Sequence, residues 1–150
     1  MEVVQLAEQI VRDPEIEGVT FLGGEPFAQA RALAELGRIV KQKGLSVVTF
    51  TGYTLDYLLQ SGNQDYLDLL SVTDLLIDGP FQIERLDTSR PWVGSSNQRY
   101  HFLTDRYLYL KERLTEIPNR LEVRIMPDGR VLVNGLAETK VLEDLFAGLL

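Results

Sequence analysis

The 150-residue sequence contains no cysteine and a single histidine, His101. Disulfide bonds are therefore excluded, and so is a zinc site built from cysteine and histidine ligands. Carboxylates remain as ligands for Mg²⁺ or Ca²⁺, but the spacing of an EF-hand loop is absent. A metal centre that needs thiolate ligands would have to obtain them from outside this sequence.

Long apolar runs and a basic N-terminus are also missing. No stretch approaches the roughly 18 apolar residues of a membrane-spanning helix. The first residues, MEVVQLAEQIVRD, carry acids where a secretory signal carries bases. These absences predict a cytoplasmic protein with no membrane partner. The formal net charge of -7 argues against a nucleic-acid partner.

Common signatures of nucleotide binding and hydrolysis are absent as well. The sequence has no G-x-G-x-x-G fingerprint, no phosphate loop ending in Gly-Lys-Ser/Thr, and no Gly-x-Ser-x-Gly elbow. Ser95 or Ser96 with His101 would suggest a hydrolase, but the sequence identifies no acid that orients the histidine. We interpret His101, between Tyr100 and Phe102, as a packed or surface histidine.

Three short apolar segments alternate with helical patterns in the first half of the chain. The predicted strands are Val19–Leu22, Leu45–Phe50 and Asp74–Asp78, and a helix is predicted from about Phe27 to Lys43. Two shorter helices are predicted between the second and third strands. Strands that alternate with helices pair in parallel through crossovers, so the predicted fold class is α/β.

The N-terminal segment predicts a helix without a strand before it. Val3, Ala7, Ile10 and Val11 form an apolar stripe, which indicates a short amphipathic helix over residues 2–12. In a βα architecture such a helix normally follows a strand. We therefore expect that an N-terminal strand is missing, and the alternative is a helix that simply covers the core.

The second half has a different pattern. Residues 79–103 carry turn chemistry and predict a long functional loop. A helix is predicted from about Thr104 to Leu114. The alternating segment RLEVRIMPDGRVLVNGL then predicts a hairpin around Pro127-Asp128-Gly129, and a closing helix is predicted over residues 138–149.

Glycine and polar residues follow each of the three predicted strands. Ligands of parallel α/β sheets bind where the carboxyl ends of the strands meet, and glycine lets a ligand approach the backbone closely. We therefore expect a binding site formed by three loops: Gly23-Gly24-Glu25-Pro26, Thr51-Gly52-Tyr53-Thr54 and Asp78-Gly79-Pro80-Phe81.

Each loop also has a purely structural interpretation. Pro26 suits the first position of a helix, and Glu25 is favoured by the helix dipole there. Thr54 suits the N-cap of the helix that begins at Leu55. In the functional interpretation, the Glu25 carboxylate instead accepts a cationic group such as an α-ammonium. Asp78, at the end of an apolar strand, is a candidate anchor for a ligand or for hydrogen bonds.

Several segments together resemble one family. Val19-Thr-Phe-Leu-Gly-Gly-Glu-Pro26 resembles the strand and loop with which radical S-adenosylmethionine (SAM) enzymes bind the methionyl ammonium of SAM. The segments VVTFTGYT, TDLLIDGPF, RPWVGSSNQR and PDGRVLVNG narrow the resemblance to glycyl-radical activases, in particular anaerobic ribonucleotide reductase activating proteins and their single-cluster relatives. The resemblance extends from about Glu2 to Gly135.

The resemblance implies a partial (β/α) barrel in one radical-SAM-like domain over residues 1–150, with a [4Fe-4S] cluster and SAM as cofactors. It implies reductive cleavage of SAM and formation of a glycyl radical on a partner enzyme. By the same resemblance the SAM-binding residues are the three loop glycines and their neighbours, together with three residues of the long loop: Gly23, Gly24, Glu25, Pro26, Thr51, Gly52, Asp78, Ser96, Asn97 and Arg99.

The sequence departs from this family at the cluster ligands. Family members bind the cluster through a Cys-x3-Cys-x2-Cys loop after their first strand, and this sequence has no cysteine. We therefore expect an N-terminally truncated chain, or alternatively a naturally degenerate one, that is inactive in radical chemistry. The rival function is a non-catalytic α/β domain that binds a nucleotide-like ligand or a partner protein.

Overall fold

The computed structural model describes residues 2–117, 121–125, 129–135, 140, 143–144 and 147–148. These residues fall into two compact units. The first comprises the described residues up to Phe81 and the segment Asn97–Lys111, and the second comprises Gln82–Ser96 and the described residues from Glu112 onward. Within the described part of the chain, no helix has both the length and the apolar character that crossing a bilayer requires.

The first unit contains the alternating strands and helices that the sequence predicts. A 3-10 turn over Pro26–Gln29 leads into the second helix. The elements in chain order are α1 (Val3–Val11), β1 (Gly18–Phe21), α2 (Ala30–Gln42), β2 (Ser46–Phe50), α3 (Leu55–Gln60), α4 (Gln64–Val72), β3 (Leu75–Asp78) and β4 (Arg99–Phe102). The predicted α/β class is thus confirmed.

The four strands form one open sheet in the order β1-β2-β3-β4. The first three strands are parallel, with Val19 opposite Val47 and Val48 opposite Leu75. The fourth strand is antiparallel to β3. The sheet is not a closed barrel, and its parallel part is compatible with the partial barrel that the family resemblance implies.

The core lies between the sheet and the helices of the first unit. Val47 of β2 and Leu76 of β3 are fully buried, as central parallel strands require. Helix α2 packs against both α1 and α4. A Cβ at Gly37 would lie 2.5 Å from Cγ2 of Val72, so the glycine permits the close approach of α2 and α4.

Short polar side chains begin the two helices between β2 and β3. Thr54 Oγ1 accepts a hydrogen bond from the Tyr57 amide at 3.2 Å, which confirms the predicted N-cap. Asn63 Oδ1 accepts from the Asp65 amide at 2.9 Å at the start of α4. The cap at Thr54 therefore ends the loop after β2, and the cap at Asn63 ends the turn between α3 and α4.

Two predictions for residues 79–114 were incomplete or wrong. The loop predicted over residues 79–103 ends in strand β4, which pairs with β3 although its four residues are too short to give an alternation signal. The helix predicted from Thr104 to Leu114 is replaced by 3-10 turns over Asp105–Leu110 and Leu114–Glu116. Leu108 and Tyr109 are exposed. An α-helix there would have too little apolar surface to bury.

The second unit contains a 3-10 turn at Ile83–Arg85 and a two-stranded antiparallel sheet. Its strands, β5 (Leu121–Ile125) and β6 (Val131–Gly135), form the predicted hairpin. Pro127 and Asp128 of the predicted turn lie outside the described residues, and so does most of the predicted closing helix.

Candidate functional site

The loops after β1, β2 and β3 lie at the same edge of the sheet. Because the three strands are parallel neighbours, their carboxyl ends are adjacent. A groove of about 220 Å³ opens there. Its walls come from all three loops and from the residue before β4: Leu22, Gly23, Gly24, Pro26, Phe50, Thr51, Gly52, Ile77, Gly79, Phe81 and Gln98.

Gly23 and Gly24 line an open part of this groove. Their φ angles are +85° and +55°, in the left-handed region where a residue with a Cβ is strained. A Cβ at either position would have no heavy atom within 4 Å. Glycine is therefore needed here for backbone conformation and not for close packing, and the space beside the backbone is open to a ligand.

The Glu25 carboxylate connects the first loop to the second. Its Oε1 accepts hydrogen bonds from the Phe27 amide at 3.0 Å and from Thr51 Oγ1 at 2.8 Å. Its Oε2 accepts from the Gly52 amide at 2.9 Å. A carboxylate offers about four acceptor sites, and these three bonds leave capacity on Oε2 for one further donor.

Asp78 connects the second loop to β4. Its side chain is fully buried, and its Oδ2 accepts from the Leu55 amide at 2.7 Å. Arg99 donates from Nη2 to Oδ2 at 2.8 Å and from Nε to Oδ1 at 3.2 Å. Asp78 therefore stabilises the position of the loops and has no surface for a ligand.

The surroundings of Asp78 keep it ionised. Burial alone raises the pKa of Asp78, but the hydrogen bonds from Arg99 and the Leu55 amide, with the nearby imidazole of His101, outweigh burial and lower the net pKa. His101 Nε2 lies 2.9 Å from Oδ2 without the alignment of a hydrogen bond. Arg99 also contacts Asp56 at 3.3 Å, which attaches α3 to the same cluster.

Of the ten predicted site residues, nine lie in the first unit and one in the second. Five of them line the groove: Gly23, Gly24, Pro26, Thr51 and Gly52. Glu25 contacts the groove wall through Gly52. Asp78 and Arg99 form the support behind the loops, and Asn97 Nδ2 donates to the Pro80 carbonyl at 2.7 Å. Ser96 belongs to the second compact unit.

Six further residues of the groove were not predicted as site residues, and two of them, Phe50 and Ile77, belong to strands β2 and β3. Leu22 and Phe81 are large apolar side chains with exposed fractions of 64% and 56%, directly beside strand ends. Gln98 precedes β4 and donates to the Gly79 carbonyl at 3.3 Å. Gly79 has a φ of +100° and was visible as part of the third loop. Gln98 was missed because β4 itself gave no sequence signal.

Four aromatic residues pack beside the second loop. Phe27 and Tyr66 meet edge to face with ring centroids 5.4 Å apart, and the rings of Tyr53 and Tyr57 lie 5.0 Å apart, tilted by 40°. Burial, then the neighbouring Tyr53 and Tyr57 phenols and the Glu25 carboxylate, raise the pKa of Tyr66. A larger depression of about 560 Å³ lies next to Phe27 and Tyr66, but no strand-end glycine lines it. The smaller groove is therefore the better candidate site.

The residues present do not suit an iron–sulfur cluster. Among the residues that the structure describes, no three histidine, cysteine, aspartate or glutamate side chains group in a way that could hold a metal ion. Over the whole sequence there is no cysteine to supply thiolates, the ligands that [4Fe-4S] clusters need.

Comparison with known proteins supports the resemblance found in the sequence. The family model described as "4Fe-4S single cluster domain" matches residues 2–101. The anaerobic ribonucleoside-triphosphate reductase-activating protein of Pasteurella multocida is 38% identical over 99 residues, which cover 60% of each chain. The protein of the same description from Haemophilus influenzae is 34% identical over 89 residues, which cover 57% of this chain and 55% of the relative.

The Escherichia coli protein of the same description is 29% identical over 92 residues, which cover 58% of this chain and 56% of the relative. The matches therefore span little more than half the length of these curated relatives. No solved structure matches the chain.

Proposed function

Because the chain belongs to the 4Fe-4S single cluster domain family, we propose that its carboxyl-edge groove binds S-adenosylmethionine and that the chain is an activase-like radical SAM protein. The parent activity would be reductive cleavage of SAM and formation of a glycyl radical. The partner would be a glycyl-radical enzyme, by analogy with relatives described as activating proteins of anaerobic ribonucleoside-triphosphate reductase.

The observation that carries the SAM-binding proposal is the hydrogen bonding of Glu25. Its carboxylate is oriented by Phe27, Thr51 and Gly52, and its Oε2 accepts a single bond. An ammonium group has three donors and is attracted by a carboxylate whose position is already set. The open backbone at Gly23 and Gly24 supports the same assignment, since a ligand can approach their carbonyls.

The other site residues have supporting roles in this proposal. Thr51 and Gly52 orient Glu25, while Asp78 and Arg99 hold the second loop in place through the Leu55 amide and Asp56. Fixing such groups before the ligand arrives reduces the entropy lost on binding. Ser96 and Asn97 are assigned to the ligand or partner by family resemblance alone.

The chain alone is proposed to be inactive in radical chemistry. A [4Fe-4S] cluster supplies the electron for SAM cleavage in this family, and thiolates that hold it are absent from the sequence. No reaction step is therefore assigned to the residues of this chain. The expected result of anaerobic reconstitution with iron and sulfide is no stoichiometric cluster absorbance, and a bound cluster would contradict this part of the proposal.

Calorimetric titration with SAM tests the ligand assignment. We expect Glu25→Ala to weaken SAM binding by about tenfold or more, since it removes a charge-assisted bond. The exposed Glu35→Ala on α2 is the matched control and should bind like the wild type. A parallel titration with 5′-deoxyadenosine, which lacks the ammonium, separates a direct role of Glu25 from a general disturbance of the loop.

The results distinguish three cases. A loss of affinity for SAM with unchanged affinity for 5′-deoxyadenosine supports contact between Glu25 and the ammonium. Equal losses for both ligands contradict that contact and leave Glu25 a role in loop structure. If both ligands bind equally well and Glu25→Ala changes neither affinity, the chain is instead the alternative, a non-catalytic domain for a nucleotide-like ligand.

A further inference from the structure

His101 is a mostly buried titratable side chain that the proposed function does not use. It is the single histidine of the sequence, and its imidazole on β4 is 20% exposed. Its Nε2 atom is buried, has no aligned hydrogen-bond partner in the described part of the chain, and lies 2.9 Å from Oδ2 of Asp78. A buried nitrogen without a hydrogen bond is costly, so its place beside a buried carboxylate requires an explanation.

The explanation is that several donors converge on one oxygen of Asp78. Oδ2 accepts from the Leu55 amide at 2.7 Å and from Arg99 Nη2 at 2.8 Å, and His101 Nε2 is a third nitrogen beside it. A carboxylate oxygen has about two acceptor sites. Leu55, Arg99 and His101 therefore compete for Oδ2, and His101 is the one left without an aligned bond.

Arg99 is the competitor that can leave. The Leu55 amide belongs to the first residue of α3, and that helix sets its position. Arg99, in contrast, has a side chain that is 47% exposed and already contacts the exposed Asp56 at 3.3 Å. A guanidinium that turns away from Asp78 therefore keeps a partner and gains water, whereas the buried Nε2 of His101 gains neither.

Protonation of His101 changes the competition for Asp78. Imidazole is the side chain that ordinarily gains a charge between pH 8 and pH 5. Burial raises the pKa of Asp78, but hydrogen bonds from Arg99 and the Leu55 amide, with His101, lower it overall, so Asp78 stays ionised in that range. A charge-assisted hydrogen bond is roughly twice as strong as a neutral one. Acid therefore strengthens the bond from His101 to Asp78 and leaves the bonds from Arg99 unchanged.

The other titratable groups around β4 do not take the place of Asp78. Strand β4 packs against β3 and against the 3-10 turn over Asp105–Leu110, and Arg99 connects it to α3. Besides Asp78 and Arg99, the titratable side chains on these elements are Asp56, Tyr57, Asp105, Arg106, Tyr107 and Tyr109. Within the described part of the chain, Asp78 is the one carboxylate within 4 Å of the imidazole. Asp78 is therefore the acid that a charged His101 binds.

We propose that His101 is a positioning residue of the carboxyl-edge groove, which holds Asp78 in place of Arg99 when the imidazole is protonated. Asp78 orders the groove by two connections: its Oδ2 accepts from the Leu55 amide, and the amide of the next residue, Gly79, donates to the Tyr53 carbonyl at 2.9 Å. Arg99 holds Asp78 while the imidazole is neutral, and His101 holds it in acid. Only the effect on SAM binding rests on the proposed function, and the exchange of partners does not.

Urea unfolding of Arg99→Met between pH 8 and pH 6 tests the exchange of partners. Without the guanidinium, the folded protein binds the His101 proton more tightly than the unfolded chain does, so stability rises as the pH falls. We expect an unfolding equilibrium constant about tenfold smaller at pH 6 than at pH 8, the effect of one hydrogen bond to a charged group. The double variant Arg99→Met/His101→Gln should lack this gain.

Arg38→Met is the matched control, because it breaks the exposed pair with Asp68 on another part of the first unit. It should follow the wild type, in which Arg99 already neutralises Asp78 and the gain in acid is smaller. Because the sequence has one histidine, a gain that disappears with His101→Gln is assigned to that residue. If Arg99→Met is unfolded at pH 8, folding at pH 6 that the double variant lacks gives the same support.

Hydrogen exchange and calorimetry test whether the exchange of partners affects the groove. In Arg99→Met, the protection factor of the Leu55 amide should rise from pH 8 to pH 6 by about the same factor, and in the double variant it should not rise. The affinity of Arg99→Met for SAM, relative to the wild type at each pH, should recover over the same range.

The contrary outcomes are equally specific. An unfolding constant of Arg99→Met that does not change with pH, or that changes equally in the double variant, would overturn the proposal. Stability that rises in acid without a rise in Leu55 protection would contradict the positioning role and leave a structural ion pair. If the wild type does not bind SAM, the proposed function is wrong, and the unfolding and exchange results still decide this inference.

Discussion

The amino ends and the carboxyl ends of strands β1 to β3 carry the same residue types in different surroundings. At the amino end, a Cβ on Gly18 would lie 2.6 Å from the Ser46 carbonyl oxygen and closer still to its Oγ. At the carboxyl end, a Cβ on Gly23 or Gly24 would meet nothing within 4 Å. Gly18 therefore permits close packing at the amino ends of the strands, whereas Gly23 and Gly24 permit a left-handed backbone at the carboxyl ends.

The two aspartates beside β3 differ in the same way. Asp74 precedes the strand and is buried, with Oδ1 accepting from Lys41 Nζ at 2.5 Å and from Thr104 Oγ1 at 2.6 Å. Its Oδ2 accepts from the Val47 amide at 2.8 Å. Asp78 ends the strand and binds the loops around the groove. Both are structural anchors, but only Asp78 is next to the candidate site.

Residue type alone therefore does not identify the functional edge of this sheet. The amino end is closed by contacts such as the hydrogen bond between Ser46 Oγ and Tyr107 Oη at 2.5 Å. The carboxyl end has an open groove because its loops bend away through glycines with positive φ. Function is therefore expected at the end where polar groups retain unused hydrogen-bonding capacity.

The largest effect is expected from Asp74→Asn. An amide places a donor against Lys41, Thr104 or the Val47 amide, and breaking a buried ion pair of this kind costs about 3 kcal/mol of unfolding free energy. Urea unfolding measures the loss. Asp68→Asn, which breaks the exposed pair with Arg38, is the matched control and should cost less than about 0.5 kcal/mol. If Asp74→Asn left the unfolding free energy unchanged, the contacts of Asp74 would not be what closes the amino ends of the strands.

Gly18→Ala should cause the second-largest loss of unfolding free energy. The added methyl group meets the Ser46 backbone, which cannot move without displacing β2, so we expect a loss of about 2 kcal/mol. Gly52→Ala is the matched change at the other end, because its Cβ would make an ordinary contact with Glu25 Oε2 at 3.6 Å. Thermal unfolding should separate the two variants. Equal destabilisation by Gly18→Ala and Gly52→Ala would mean that the amino and carboxyl ends of the strands are packed equally closely.

Asp78→Asn should cost less stability than Asp74→Asn but should affect the site. Arg99 is half exposed and can turn toward solvent, so we expect a loss of about 1.5 kcal/mol. Loss of the bond to the Leu55 amide should loosen the second loop and weaken SAM binding. Calorimetry on both variants measures the contrast, and a larger binding defect in Asp74→Asn would reverse the assignment of the two ends.

Gly24→Ala should destabilise the protein by about 1 kcal/mol, the cost of a left-handed conformation for a residue with a Cβ. No steric contribution is expected, because the site of the methyl group is open. Chemical unfolding of Gly24→Ala beside Gly18→Ala provides the measurement. A loss larger than that of Gly18→Ala would mean that the groove is packed and not open.

The smallest expected effect is the dependence of the unfolding free energy on pH in the acidic range. Burial raises the pKa of Asp74, but hydrogen bonds from Lys41, Thr104 and the Val47 amide lower it overall, and the pKa of Asp78 is lowered too. The folded state therefore binds fewer protons than the unfolded state. The stabilisation is complete above the unfolded aspartate pKa of about 3.9 and is lost as the pH falls through the folded pKa values.

Urea unfolding between pH 7 and pH 3 checks this expectation with the double variant Asp74→Asn/Asp78→Asn. Its stability curve should be flatter than that of the wild type, and the two curves should approach each other in acid. Some slope will remain because the pKa of Asp87 is also lowered, chiefly by Ser89. Parallel curves would show that neither aspartate is responsible for the acid sensitivity.

Much of the fold was predictable because its signals are local. The apolar runs of β2 and β3, the stripe of α1 and the cap at Thr54 each depend on a few neighbouring residues. The three glycine-bearing loops were predicted to meet because parallel topology brings strand ends together. Strand β4 and the residue Gln98 were not predicted, since a four-residue edge strand exists only through its pairing with β3.

The α/β class, the three strand-end loops and the absence of thiolate ligands follow from the amino-acid sequence, because periodicity and composition do not depend on tertiary packing. Which acids are fully engaged in hydrogen bonds within the protein, and which acid keeps an acceptor position free, depends on tertiary packing. Asp74, Asp78 and Glu25 are all acids next to strands in the sequence. Apart from the Phe27 amide beside Glu25, the hydrogen-bond partners of these three acids lie 21 to 33 positions away in the chain, and only packing brings them together.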